Sequence, residues 1–315
     1  MNRLGYLRAE SAMRQQDTDM WSEWVLRRRH GDDMQYRQAI HGEVTVYADR
    51  VLDGARVHEA MTLADIGTGD GLVGFRAIER FGPSLNVVMT DVSAPLLRHA
   101  EALAAERGVA RQCRFVQGSA DALTQIDDAG VDAVTMRAVL AYVADKGAAL
   151  REFYRILKPD GRLSMAEPIL RDEAFEVCAL KRMVDARPPG TGDAFFPLLL
   201  RWRSAQFPDT EEKARALPIT NYGERDLVRF AIDAGFVDIH LELHIDVVPA
   251  DPIPWDAFVE SSPHPLAPSL QSVLDAQFTP DERAFFEARL RPLVESGKQF
   301  GAQRIAWMTA AKPGS

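Results

Sequence analysis

The stretch of sequence that decides the fold is MTLADIGTGDGLVGFRAIERFG, at residues 61–82. It opens with a short apolar run typical of a buried strand, and the segment after the glycines places Leu72, Phe75 and Ile78 on one side of a helix. The glycine-rich turn at residues 67–71 lets the backbone turn tightly and leaves room for a ligand at the helix amino terminus. The stretch therefore predicts a strand, a binding turn and a helix in succession.

Further strands and helices alternate after this stretch. Short apolar runs predict strands two to five at residues 86–91, 113–118, 131–136 and 162–167, and the sequence KPDG at residues 158–161 predicts a turn before strand five. Alternation of this kind predicts a parallel sheet with helices packed on it. The alternating apolar pattern of residues 236–248 predicts an edge strand with one solvated face, and residues 304–311 predict a last strand.

Helical segments interrupt or precede this pattern. Residues 1–60 form a predicted helical extension, and the predicted binding core spans residues 61–170. Residues 171–222 have no strand pattern, so we expect an insertion that lies over the carboxyl ends of the strands as a substrate lid. Residues 223–315 complete the sheet and contain a second helical insertion at residues 249–303.

Composition and charge exclude several classes of partner. The chain has 315 residues and a formal net charge of -9, which gives no general attraction to nucleic acid. Its two cysteines, Cys113 and Cys178, form no CxxC pair, so we expect neither a disulfide framework nor a metal site. No apolar run reaches the roughly 18 residues that cross a bilayer. These features predict a cytoplasmic protein without a membrane partner.

The glycine-rich turn is compatible with two kinds of ligand. Residues 69–74 satisfy the GxGxxG pattern of dinucleotide-binding enzymes, so a nicotinamide-dependent oxidoreductase has to be considered. A dinucleotide would bring a pyrophosphate to this turn, where Asp65 and Asp70 would repel it. S-adenosylmethionine (SAM) instead brings an ammonium and a sulfonium group, which nearby carboxylates stabilise. The acidic turn therefore favours SAM.

Two more carboxylates follow the next strands. Asp91 ends strand two, 24 residues after Gly67, where a carboxylate can accept hydrogen bonds from both ribose hydroxyls of either ligand. Asp121 closes the GSAD sequence of residues 118–121, where a carboxylate can accept a hydrogen bond from an adenine amino group. A solvated turn or a helix cap is the alternative explanation of Asp121.

In this order the motifs resemble those of the class I SAM-dependent methyltransferases. The resemblance rests on DIGTGDG at residues 65–71, Asp91, GSAD, VDAVTMRAVL at residues 131–140 and LKPDGRLSMAEP at residues 157–168. It covers about residues 60–170. The cofactor contacts that it implies are Asp65, Gly67, Thr68, Gly69, Asp91, Ser119, Ala120, Asp121, Met136, Arg137 and Ala138.

The resemblance also implies a fold and an activity. The fold is α/β: a Rossmann-like, mostly parallel sheet of seven strands in the order 3-2-1-4-5-7-6, flanked by helices, with the last strand antiparallel. The activity is transfer of the SAM methyl group to a small-molecule acceptor, and transfer to oxygen is favoured. Aromatic residues in the helical insertions indicate a partly apolar acceptor of the kind found in specialised metabolism.

A general base within about 3 Å of a hydroxyl acceptor would assist the transfer. Glu167 is the leading candidate, because it ends strand five at the rim where open α/β sheets bind ligands. A cap or an ion pair with Arg171 is the alternative for Glu167. His30 and His41 lie in the amino-terminal extension and are further candidates, although a surface or packing position is favoured for each.

Other side chains could contact the cofactor or the acceptor. A guanidinium can bind the SAM carboxylate, and the candidates are Arg27, Arg28 and Arg29, for which a solvated helix face is the favoured alternative. Aromatic residues that could close or line a pocket are Tyr36, Tyr47, Tyr142, Phe195, Phe196, Trp202 and Trp255. Simple packing is the alternative for all of them.

Three alternatives to methyl transfer to a small molecule stay open. The first is the nicotinamide-dependent oxidoreductase, and the second is a SAM-binding regulator or cyclase that transfers no methyl group. Methylation of nucleic acid is disfavoured, because residues 136–139 read MRAV where similar base-methylating enzymes carry an Asn-Pro-Pro-Tyr type motif. The helical additions are candidates for a homodimer interface as well as for a lid.

Overall fold

The computed structural model describes residues 18–188, 191–298 and 300–314, and only the backbone of residues 34, 35, 37–43 and 300. The strands within these residues are β1 (Thr62–Ile66), β2 (Asn86–Asp91), β3 (Cys113–Gln117), β4 (Val131–Arg137), β5 (Leu157–Pro168), β6 (Val237–Pro249) and β7 (Phe300–Ala311). The α-helices are α1 (Met20–Leu26), α2 (Met34–Gly54), α3 (Leu72–Phe81), α4 (Ala94–Glu106), α5 (Lys146–Ile156), α6 (Leu170–Asp185), α7 (Phe195–Gln206), α8 (Glu211–Ala216), α9 (Glu224–Ala234), α10 (Trp255–Glu260), α11 (Leu270–Gln277) and α12 (Pro280–Glu295).

The seven strands form one sheet in the order β3-β2-β1-β4-β5-β7-β6. Strands β1 to β5 pair in parallel, and β7 runs antiparallel to both β5 and β6. The expected fold class and strand order are therefore confirmed, and β6 is the predicted edge strand. The loop at residues 67–71 follows β1 beside the point where the strand order reverses, which is where open α/β sheets bind ligands.

The predicted strand bounds agree with the structure to within one residue except at the starts of β7 and β5. Strand β7 begins at Phe300, inside the segment expected to be a helical insertion, and not at residue 304. The start of β5 is the second exception. We expected residues 158–161 to be a turn before this strand, yet β5 already begins at Leu157. Leu157 pairs with Val131, and regular pairing with β4 resumes between Ala133 and Arg162. The residues between form an irregularity in which Asp160 has a φ of 63°, so the expected turn lies inside the strand.

Helices cover both faces of the sheet. On one face α2 buries Ala48 and Leu52 against residues of β1, β2 and α3. A Cβ atom at Gly54 would lie 2.5 Å from Ser164 Oγ and 2.8 Å from Thr309 Cγ2, so this end of α2 approaches β5 and β7 closely. On the other face α5 and α9 cover the sheet. Among the described residues, no helix combines the length and apolar character needed to cross a membrane.

The two helical insertions pack together into one unit, which we call the cap (α6–α8 and α10–α12). Its apolar core joins α7 to α10, α11 and α12 through buried residues such as Leu198, Trp255 and Phe286. Phe195 stacks on Phe286 with ring centroids 5.2 Å apart. The sequence predicted two separate insertions; their union depends on packing between segments more than 50 residues apart, which local patterns do not encode.

The amino-terminal extension is fastened to the cap. The indole Nε1 of Trp24 donates a hydrogen bond to the Ser262 carbonyl oxygen at 3.0 Å, and Arg28 donates to Ser262 Oγ at 3.2 Å. A Cβ atom at Gly31 would lie 2.0 Å from the carbonyl oxygen of Ala257 in α10, so the two segments are in direct backbone contact. The extension and the cap therefore enclose the carboxyl edge of the sheet together.

Candidate active site

A cavity of about 890 Å³ lies at the carboxyl ends of β1 to β5. Its floor is formed by the loops that follow these strands, and its walls come from the amino-terminal extension, the cap and β7. Small-molecule pockets commonly measure roughly 300–1,000 Å³. The cavity is therefore large enough for two ligands bound side by side.

The loop after β1 depends on its glycines. Gly67, Gly69 and Gly71 have φ values of 64°, 59° and 85°, a region that other residues rarely adopt. A Cβ atom at Gly67 would also lie 2.3 Å from Cγ2 of Val139. Both conformation and space therefore require glycine at position 67, and the loop stays close to the turn after β4.

Asp65 holds this loop in shape. Its buried carboxylate accepts hydrogen bonds from Thr68 Oγ1 at 2.7 Å, from the Gly74 backbone N–H at 3.2 Å and from Thr135 Oγ1 at 3.3 Å. Burial raises the pKa of Asp65 to about 6, although these hydrogen bonds lower it. Asp65, Gly67, Thr68 and Gly69 all line the cavity, and their contacts with the cofactor stay a prediction.

Asp91 links the glycine loop to the helix after β2. Its carboxylate accepts hydrogen bonds from the backbone N–H groups of Gly69 and Ser93, both at 2.9 Å. Burial raises its pKa, and the nearby Asp19 carboxylate raises it further. Asp19, the N-cap of α1, accepts a hydrogen bond from Ser93 Oγ at 3.0 Å. The amino-terminal helix is thus connected through Ser93 to the predicted ribose site.

The adenine residues expected from the resemblance also line the cavity. Ser119, Ala120 and Asp121 follow β3 there, and Ser119 Oγ donates a hydrogen bond to the Asp121 carboxylate. Of the three residues that the resemblance implied at and just after the end of β4, Arg137 and Ala138 line the cavity and Met136 does not. Met136 is fully buried in the apolar core, because neighbouring residues of a strand point to opposite faces.

Glu167 has a different position from the one expected of a general base. It is fully buried and is absent from the cavity wall; its oxygens accept hydrogen bonds from the backbone N–H groups of Val139 at 2.9 Å and Leu140 at 3.1 Å. Burial raises its pKa to about 7. The carboxylate therefore positions the turn after β4. The alternative ion pair between Glu167 and Arg171 is not formed, because Arg171 pairs with Glu224 at 3.2 Å.

The two histidine candidates give no base in the described cavity wall. His30 is buried, with Nε2 at 3.0 Å from the Leu26 carbonyl oxygen in its own segment, and does not line the cavity. This agrees with the packing alternative. The side chain of His41 lies outside the described residues, so its proposed role stays a prediction.

The three consecutive arginines of the extension have three different environments. Arg27 is exposed on the solvated helix face that the sequence favoured, near Glu23. Arg28 is bound to Ser262 and to the Ala267 carbonyl oxygen of the cap. Arg29 lines the cavity, where burial lowers its pKa to about 10.

Aromatic residues form much of the cavity wall. Of those considered from the sequence, Tyr36, Tyr47, Tyr142 and Trp202 line it. Phe195 and Trp255 lie in the core of the cap, where packing was the alternative explanation. Phe196 is absent from the wall as well; it packs edge-on against Phe195 with ring centroids 6.1 Å apart.

Sequence reasoning missed several residues of the wall. Trp21 and Trp24 line the cavity from α1, and Phe258 lines it from α10. A usable signal precedes the two tryptophans: Asp19 and Ser22 have the spacing of a helix cap, and together they start a short helix that presents both indoles. No comparable local signal marks Phe258, which depends on how the cap folds back.

Comparisons with known proteins agree with this geometry. A family model described as a methyltransferase domain matches residues 57–211. Nocamycin O-methyltransferase from Saccharothrix syringae is 32% identical over 205 residues, which are 64% of this chain and 67% of the relative. A ubiquinone/menaquinone biosynthesis C-methyltransferase from Bradyrhizobium diazoefficiens is 30% identical over 194 residues, which are 60% of this chain and 71% of the relative. The chain belongs to the class I SAM-dependent methyltransferases.

A solved structure supports the fold of this methyltransferase. The chain matches a protein from Galdieria sulphuraria proposed to be a sarcosine dimethylglycine methyltransferase, with a TM-score of 0.51 and 16% identity over 88% of each chain. The enzyme uses SAM as its cofactor. The nicotinamide-dependent alternative for the GxGxxG pattern is therefore wrong, in agreement with the argument from the acidic turn. The two relatives methylate different kinds of atom, so membership of the family leaves the acceptor atom open.

Proposed function

We propose that this methyltransferase transfers the SAM methyl group to a hydroxyl oxygen of a small, partly apolar molecule. The observation that carries the proposal is that the glycine loop and an aromatic wall belong to the same cavity. Trp24, Trp202 and Phe258 line the cavity together with Gly69 and Asp91, so a cofactor and an apolar acceptor can bind in contact.

The loops after β1, β2, β3 and β4 are the proposed cofactor site, and the residues fit SAM. The left-handed conformation of Gly67 and Gly69 keeps side chains out of the space above β1, and carboxylates surround it. Asp91 can accept the ribose hydroxyls while it keeps its bonds to Gly69 and Ser93, because each carboxylate oxygen accepts more than one hydrogen bond. Met136 is omitted from this assignment because it is enclosed in the core.

The protein's contribution to the reaction is to hold and enclose the reactants. Bound SAM would supply an electrophilic methyl group on a sulfonium, and the extension and the cap form walls of the cavity around it. Glu167 and His30 are enclosed in packing, so neither is available to remove a proton from the acceptor. We therefore expect an acceptor hydroxyl that is acidic enough to react without them, such as a phenol or an enol.

Transfer to oxygen is supported by the similarity to nocamycin O-methyltransferase, and transfer to carbon is the second candidate because the other relative is a C-methyltransferase. A phenol or enol can be methylated at either atom. The identity of the acceptor atom therefore has to be read from the product.

The experiment is to incubate the enzyme with methyl-labelled SAM and a panel of phenols and enols, and to determine the labelled product by mass spectrometry and NMR. We expect an O-methyl product that is lost in Asp91→Asn and retained in Asp233→Asn, an exposed control on α9. A product labelled on carbon would replace the O-methyl proposal with C-methylation. If no member of the panel is labelled, the proposed acceptor class is wrong.

A further inference from the structure

Two arginines of the cavity wall have no anionic partner among the side chains that the structure describes. Neither Arg29 nor Arg137 forms a hydrogen bond or an ion pair with any residue that the structure describes, although both line the cavity. A third arginine of the wall, Arg203, differs because it forms an ion pair with Glu173 at 2.8 Å. The cavity therefore contains two guanidinium groups whose N–H donors remain for ligands.

These two cations are in an unfavourable environment without a ligand. Burial lowers the pKa of both, and the positive charge of Arg137 lowers that of Arg29 further. The negative charge of Asp70 raises the pKa of both arginines, but Asp70 forms an ion pair with neither. A desolvated cation without an acceptor costs free energy, so both groups favour ligands that carry negative charge.

The cofactor can satisfy one of the two. SAM carries a single carboxylate, and one guanidinium can hold a carboxylate through two parallel hydrogen bonds. Arg137 is the better placed of the two, since it ends β4 and its charge acts on the Asp65 carboxylate beside the glycine loop. We therefore assign the SAM carboxylate to Arg137.

Arg29 lies in more aromatic surroundings. Its guanidinium carbon is 5.7 Å from the ring centroid of Trp24, and the hydroxyl groups of Tyr36 and Tyr142 act on its pKa. Tyr142 in turn packs edge-on against Trp21 with ring centroids 5.1 Å apart. A ligand bound here would have its charge at Arg29 and its apolar part against these rings.

We propose that Arg29 binds an anionic oxygen of the acceptor, so that this methyltransferase acts on organic acids with an aromatic or similarly apolar body. The inference rests on the proposed function, because it names the acceptor class of the same cavity. It adds a charge requirement that the aromatic wall alone does not impose.

The test compares naphthoate with its uncharged methyl ester as ligands of the full-length enzyme saturated with S-adenosylhomocysteine, by calorimetric titration at neutral pH. A hydrogen bond to a charged group contributes roughly 10- to 100-fold in affinity, so we expect naphthoate to bind tighter than the ester by about that factor. Arg29→Gln should bring the two affinities together, and Arg27→Gln, a change to the exposed neighbour, should preserve the preference.

A second titration distinguishes the roles of the two arginines. S-adenosylhomocysteine carries the carboxylate that SAM also has, and methylthioadenosine lacks it. Arg137→Gln should therefore lower the affinity for S-adenosylhomocysteine but not for methylthioadenosine, and Arg29→Gln should lower neither affinity. The inference would be overturned if Arg29→Gln selectively lowered the affinity for S-adenosylhomocysteine, or if the unmodified enzyme bound naphthoate and its ester with equal affinity. Failure of both naphthalene ligands to bind would instead contradict the proposed apolar acceptor, and the inference with it.

Discussion

Replacement of Glu167 by glutamine should destabilise the turn after β4. The two carboxylate oxygens accept the N–H groups of Val139 and Leu140 at 2.9 Å and 3.1 Å. Glutamine keeps one acceptor oxygen, but its amide NH2 group is a donor and cannot accept from the other backbone N–H. One buried donor therefore loses its partner. An unsatisfied buried donor costs about 1–3 kcal/mol.

This cost should depend on pH. Because burial raises the pKa of Glu167 to about 7, the stability contributed by its carboxyl group is fully present below its unfolded pKa and is lost as the pH rises through about 7. A tenfold change in proton affinity corresponds to about 1.4 kcal/mol, so the loss is roughly 3 kcal/mol between about pH 4 and pH 8. Glutamine does not titrate, so the advantage of the unmodified protein should shrink or reverse across this range.

Urea unfolding at a series of pH values measures this difference. Glu101→Gln, at an exposed position of α4, is the matched control and should follow the unmodified protein at every pH. A difference between Glu167→Gln and the unmodified protein that stays constant with pH, or that grows as the pH rises, would refute the reasoning.

Other changes test the loop, the cap and the extension. Gly67→Ala should cost about 1–3 kcal/mol in urea unfolding, since its Cβ combines a positive φ with a clash, and Gly69→Ala, with no atom within 4 Å, should cost less. Phe286→Ala should cost about 3–5 kcal/mol in the same assay, because its ring is fully buried in the cap. Asp19→Ala should weaken S-adenosylhomocysteine in calorimetric titration by roughly two- to tenfold, through loss of one hydrogen bond to Ser93; unchanged affinity would contradict that link.

The sheet and the glycine loop could be predicted because their signals are local. A buried parallel strand requires a continuous apolar run, and a tight turn at its end requires glycine, so residues 61–71 specify both features without knowledge of the rest of the chain. Asp91 was predictable for the same reason, since it directly ends β2. The strand order came from the resemblance to the family.

Side-chain direction at the rim of the sheet could not be predicted. Strands β4 and β5 are buried on both faces, so their apolar runs do not reveal which face turns toward the cavity. Met136 was assigned to the site through the family resemblance and Glu167 on its position at a strand end, yet both side chains point into the core. Strand alternation predicts only that the side chains of Met136 and Arg137 point to opposite faces of the sheet.

The walls of the cavity depend on contacts distant in sequence. Arg29 follows two other arginines and resembles a solvated helix face, but the cap covers it because Trp24 and Arg28 bind residue Ser262. Phe258 lies beyond β6, more than 70 residues after the first cap helix ends at Asp185, and still reaches the same wall. Pairings of this kind are set by the folded shape of the cap.

The connection from Asp19 through Ser93 to Asp91 has a thermodynamic consequence for the amino-terminal helix. Ser93 contacts both carboxylates: that of Asp19, the N-cap of α1, and that of Asp91 in the proposed ribose site. If binding of a ligand at this site stabilises the attachment of α1, attachment of α1 stabilises binding of the ligand by the same free energy, because coupling between two binding equilibria is reciprocal. Occupancy of the ribose site should therefore slow hydrogen exchange at the backbone amides of residues 20–26, and detachment of α1 should shorten the residence time of the nucleoside.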